Sequence, residues 1–98
     1  MREVDFHRLA RRELDEALAW YGERSQQARA GFRLKLIDAV ERIIKDPLAH
    51  AVLEKPYRCV RVRRFPYVLI YEERAENRIL IVAVAHTSRR PGYWRRRK

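Results

Sequence analysis

Arg61, Arg89, Arg90 and Tyr93 are the side chains with which this sequence could act on a charged substrate. Guanidinium groups grip phosphate or carboxylate through paired N–H donors. A tyrosine hydroxyl, or the imidazole of His86, could move a proton beside them. The same residues could equally bind without reacting. Arg89, Arg90, Tyr93 and Trp94 share one segment, which runs on into Arg95-Arg96-Arg97-Lys98. Arg61 and Arg63 alternate with Val60 and Val62, which puts Cys59, Arg61 and Arg63 on one face of a strand. Tyr67, Tyr71, Tyr93 and Trp94 offer rings for stacking on bases or on a partner, with Tyr67 and Tyr71 read first as packing residues. His86 closes the apolar run Ile79–Ala85. It reads as an acid–base group or as a structural residue bonding the loop behind it, and the structural reading is favoured.

Charge separates the chain into halves. Residues 1–50 hold 10 Lys or Arg against 9 Asp or Glu, and residues 51–98 hold 13 against 4. The first half is a balanced surface, and the second is an electropositive field suited to nucleic acid or an acidic protein. Arginine supplies 19 of the 23 basic residues, which suits bidentate contacts and stacking. A basic tail is expected over about residues 89–98, either frayed or covered by an acidic partner.

Several chemistries are missing. With three glycines there is no phosphate loop and no dinucleotide fingerprint. Three histidines and one cysteine show no metal-ligand spacing, so no metal and no cofactor is expected. No Gly-x-Ser-x-Gly elbow is present. The few acids of the second half sit in an expected turn, which disfavours a two-carboxylate hydrolase. A single cysteine fits a reducing cytosol, and no leader or membrane-length apolar run is visible, so we expect a cytoplasmic protein without a membrane partner.

The elements that must position these groups follow from periodicity. Val4 and Phe6 alternate with charges, a short strand over 2–7. Ala10, Leu14, Ala17, Leu18 and Tyr21 form one helical stripe, with Glu13 on the opposite, polar side and a break expected at Gly22. A second helix starts at the N-cap Ser25, buries Ala28, Phe32, Leu36, Ala39, Val40 and Ile43, and stops before Pro47. Residues 48–56 read as a loop. Strands are expected over 57–63, 67–71 and 79–86, the last apolar on both faces and therefore covered on both. Residues 72–77 read as a charged turn. The result is an α+β fold, β-α-α-β-β-β, in which an N-terminal helical hairpin packs on one face of an antiparallel sheet. One domain spans 1–98.

The ordered set of features resembles the RelE/ParE superfamily of type II toxin–antitoxin toxins, also described as plasmid stabilisation proteins. It is carried by the Ala10…Leu14-x-x-Ala17…Tyr21 stripe, the Asp46-Pro47 helix end, Arg61, Phe65-Pro66-Tyr67-x-x-x-Tyr71 and Ile79-Leu80-x-Val82-x-Val84-x-His86-x-x-Arg89-x-Pro91-x-x-Trp94. The resemblance implies a toxin wrapped by the acidic segment of a cognate antitoxin in a hetero-oligomer. RelE-like members cut mRNA on the ribosome without metal, which would make Arg61, Arg89, Arg90 and Tyr93 catalytic. ParE-like members inhibit DNA gyrase. Lys55 stands alone where a lysine pair would be expected, and no terminal His-Tyr pair occurs, so the ParE side is favoured over an mRNA interferase. An inactive basic binding domain is the remaining reading. The residues expected to meet antitoxin or target are Arg61, Arg63, Tyr67, Tyr71, His86, Arg89, Arg90, Trp94, Arg95 and Arg96.

Overall fold

The computed structural model describes residues 2–97. Strand β1 (Glu3–Phe6) leads into helices α1 (Arg8–Arg24) and α2 (Gln26–Lys45), and strands β2 (Ala51–Glu54), β3 (Tyr57–Val62), β4 (Tyr67–Ala75) and β5 (Arg78–His86) follow. The five strands make one sheet in the order β1-β5-β4-β3-β2. The expected α+β order holds, with two refinements. β1 pairs parallel to β5 while all other pairs are antiparallel, so the sheet is mixed. The segment read as a loop contains β2, every residue of which is exposed. With no apolar alternation turned inwards, its only strong constraint is the backbone pairing to β3, which periodicity cannot reveal.

The helical hairpin forms as its residues dictate. His7 caps α1, its ring accepting from the Leu9 amide at 3.1 Å. Ser25 ends α1 and starts α2, its hydroxyl accepting from the Ala28 amide at 3.2 Å. Gly22 does not break α1, which continues to Arg24. Its reason is proximity: a Cβ there would lie 3.0 Å from Cδ of Arg29 on the returning helix. The stripes Ala10–Leu14–Ala17 and Phe32–Leu36–Ala39–Ile43 are buried against Val60, Val62, Leu69, Tyr71, Ile79, Ile81 and Val84. Removing the Phe32 ring from among Tyr21, Phe65 and Tyr67 is expected to cost about 3–5 kcal/mol.

β4 is longer than expected, because Glu72, Glu73 and Ala75 stay paired with β5 and only Glu76 and Asn77 turn the chain. Asn77 takes the left-handed conformation that asparagine tolerates (φ 62°). β5 also carries a bulge. Ile70 pairs with Ala83 and Tyr71 with Ile81, so Val82 is the extra residue. The bulge resets the alternation: Ile79, Ile81 and Val84 face the helices, while Val82, Ala83 and Ala85 face away. An apolar run on both faces is thus explained by two separate clusters.

Candidate functional site

The side of the sheet without helices is covered only in part. Ile70, Val82, Ala83, Ala85 and Trp94 form its buried cluster, with Tyr57, Cys59, Val68, Leu80 and Tyr93 against it. Trp94 reaches back from the C-terminal segment and meets Tyr57 edge-on at 4.8 Å. It is 4 % exposed, a core residue of this face and not a free contact ring. Beside it lies an open cleft of about 370 Å³, floored by Val68, Ile70 and Ala85 and rimmed by Arg89, Arg90 and Arg95. Strand register places Arg61 in line with Val68 and Ala85, on this same face. The side chains of Arg61, Arg90 and Arg96 are exposed and make no hydrogen bond or ion pair with another described residue.

The structure does not bring all the expected residues together. Arg63 follows the end of β3 and leaves the strand alternation. It pairs with Asp38 of α2 at 3.6 Å, on the helical side, so it does not share a face with Arg61. Tyr67 sits on the helical side too, among Tyr21, Phe32 and Phe65. Tyr71 is 1 % exposed, and its hydroxyl donates to the Pro47 carbonyl at 2.5 Å. Burial is the main reason its hydroxyl is pushed up to about 12. Arg95 reaches Glu54 of β2, closing one end of the cleft. Lys98 lies outside the described residues.

His86 ends β5 with Nδ1 3.0 Å from the Ser88 amide. That N–H can only donate, so Nδ1 is an acceptor and the ring proton belongs on Nε2. The Ser88 hydroxyl then also donates to Nδ1, at 2.7 Å. The bond expected between His86 and the backbone of the following loop is thus present.

Sequence reasoning missed the residue that organises this end of the molecule, Glu13. β1 leaves the sheet after Phe6, so the edge of β5 beyond Ile81 has no strand beside it. Glu13 of α1 and Arg97 fill that gap. The Val84 amide donates to Glu13 Oε1 at 3.0 Å, and Arg97 Nη1 donates to the Val82 carbonyl at 3.0 Å. Arg97 also grips the carboxylate with both terminal nitrogens, at 2.8 and 2.9 Å. The Tyr93 hydroxyl donates to Glu13 Oε2 at 2.7 Å. Burial pushes the Glu13 carboxyl up, but the hydrogen bonds from Arg97, Tyr93 and the Val84 amide outweigh it and hold it below its ordinary value. Tyr93 goes the other way: burial, then its bond to Glu13 and that negative charge, push its hydroxyl up. The guanidinium of Arg89 stacks 3.9 Å over the Tyr93 ring. A tyrosine so held is a strut for Arg89, its hydroxyl proton retained and committed to Glu13. No local signal marks a pair 84 positions apart in sequence; Glu13 sits on the polar side of a periodic helix.

The site is therefore a cationic, apolar-floored face steadied by a part-buried carboxylate. Among the described residues no group of three or more His, Cys, Asp or Glu gathers as metal ligands would, and no helix is long and apolar enough to cross a membrane. A search of curated proteins returns no match. The family model described as the ParE toxin of the type II toxin–antitoxin system parDE matches residues 4–91, which takes in both helices, β2 to β5, all of β1 but Glu3, and Arg61, His86, Arg89 and Arg90. With that match added to the observed β-α-α-β-β-β-β order, the chain belongs to the ParE toxin family of type II toxin–antitoxin systems, a family that implies an antitoxin partner.

Proposed function

We propose that this toxin acts in the cytoplasm by inhibiting DNA gyrase, and that the acidic segment of a cognate antitoxin neutralises it in a hetero-oligomer. The observation that carries the reading is the contrast at Arg61, Arg89, Arg90 and Tyr93. Arg61 and Arg90 are exposed without a partner among the described residues, and Arg89 is oriented by Tyr93, whose hydroxyl is engaged by Glu13. That is equipment for gripping an anionic or acidic surface, with the Tyr93 hydroxyl already committed to Glu13. An antitoxin segment combining apolar side chains with carboxylates would complement the cleft floor and its arginine rim.

The test is a supercoiling and DNA-cleavage assay with purified gyrase. The toxin should block supercoiling or stabilise cleaved complexes, and Arg61→Ala with Arg90→Ala should weaken this by about tenfold. Adding the antitoxin should restore supercoiling. Codon-phased cuts in translated mRNA, with gyrase unaffected, would overturn the reading in favour of a ribosome-dependent ribonuclease.

A further inference from the structure

A second cleft, of about 350 Å³, lies on the other side of β5, between α1 and the start of β4. Its walls include Glu16, Trp20, Tyr21, Tyr67, His86 and Arg89. Three features give it a chemistry unlike the rest of this basic molecule. The first is a set of rings from three elements: Trp20 meets Tyr21 edge-on at 5.0 Å, and Tyr67 meets His86 edge-on at 5.1 Å. Trp20 is 49 % exposed, so part of its ring is open to a guest. The second is the Glu16 carboxylate, exposed and without a hydrogen bond or ion pair to any described residue. The third is backbone. The Val84 amide points away from β4, towards Glu13, while Thr87 donates back to Pro66. Alternation along an antiparallel strand then directs the Val84 carbonyl away from β4 as well, as an acceptor at the cleft wall.

Aromatic faces, a carboxylate and a carbonyl together select a flat cation with several N–H donors. The molecule already shows the interaction twice within itself, with Arg24 stacked 3.4 Å over Trp20 and Arg89 stacked 3.9 Å over Tyr93. Arg24 and Arg89 are the cations nearest such a guest; Arg24 covers one part of Trp20 and is bonded to the Trp20 carbonyl and paired with Glu23, and Arg89 is stacked on Tyr93, so both guanidiniums are already engaged. Glu16 and the ring faces disfavour a phosphate-bearing guest by charge. We propose that this cleft is a docking site for an arginine side chain of a partner protein, held between the rings with its guanidinium donating to Glu16 and the Val84 carbonyl. The site adjoins the arginine-rimmed cleft, sharing His86 and Arg89 with it, but opens on the helical side of β5 and does not depend on which target that cleft serves.

The test titrates blocked tripeptides, acetyl-Gly-Arg-Gly-amide and its citrulline and lysine counterparts, into full-length ¹⁵N-labelled protein. The arginine peptide should shift the Trp20 indole N–H and the His86 amide in a saturable way. Citrulline, which keeps the shape and loses the charge, should bind at least about fivefold more weakly, with lysine between them. Glu16→Gln, an exposed change that leaves the fold intact, should weaken the arginine peptide by a similar factor. Trp20→Phe serves as a second variant and should weaken it less, since a smaller ring remains. Equal binding of arginine and citrulline, indifference to Glu16→Gln, or shifts confined to Trp94 and Leu53 would each overturn the proposal. So would tighter binding of guanosine monophosphate at Trp20, which would make the cleft a base-stacking site.

Discussion

Arg97 and Arg90 lie seven positions apart and do opposite things. Arg97 is 11 % exposed in its side chain and holds a carboxylate that is 12 % exposed. Arg90 stands in solvent without a partner among the described residues. The first is structure, spent on closing the strand edge that β1 vacates. The second is free charge available to another molecule. Net charge alone counts them equally, so the cationic tail overstates what is open to a partner. Buried pairs lose heavily when one member is removed, whereas exposed unpaired charges contribute little to folding. That asymmetry lets stability and function be separated by mutation.

The largest expected effect is on the buried side of this comparison. Glu13→Ala leaves the Arg97 guanidinium and the Val84 amide without their partner and should cost about 3 kcal/mol, read from denaturant midpoints at unchanged slope. A loss below about 1 kcal/mol would mean that the clasp is surface chemistry. The same carboxylate sets a pH dependence. Its folded value lies below the ordinary 4.5, so its contribution is present above pH 4.5 and is lost as pH falls through the lowered value. Glu13→Gln should flatten that acid limb of the stability profile.

Tyr71→Phe removes the hydroxyl bond to Pro47 and should cost about 1 kcal/mol at neutral pH. Because the Tyr71 hydroxyl is raised from 10 to about 12, the wild type should lose stability as pH climbs from 10 towards 12. The phenylalanine variant should lose less over that window, by thermal unfolding.

The smallest stability effect belongs to the free side. Arg61→Ala and Arg90→Ala should each change unfolding free energy by less than about 0.5 kcal/mol, while weakening target inhibition as described above. A stability loss as large as that of Glu13→Ala would erase the distinction between the two sets of arginines.

Much of the scaffold was legible before the structure. Ser25 as a cap, the two helical stripes and the Val60/Val62 alternation were readable because each depends on neighbours within a turn or a strand. The bond between His86 and the loop behind it was readable for the same reason, its partner Ser88 being two residues away. Gly22 misled because a glycine that normally breaks a helix here makes room for Arg29. Arg63 misled because the strand ended one residue sooner than the alternation implied, freeing it to turn towards Asp38. Trp94 was expected at a surface, and the uncovered sheet face drew it in.

By itself the sequence determined the element order apart from β2, the basic second half and the family to which these motifs point, because composition and short-period patterns are local properties. Only the tertiary structure decided which cations are free. Arg89, Arg90, Arg95, Arg96 and Arg97 are alike in sequence context. Arg97 is engaged because β1 leaves β5 half-covered and α1 brings Glu13 to the exposed edge. The bulge at Val82 contributes as well, since Arg97 donates to the carbonyl of that extra residue. An arginine's role here follows from where a distant strand stops, and no spacing within 89–97 encodes that.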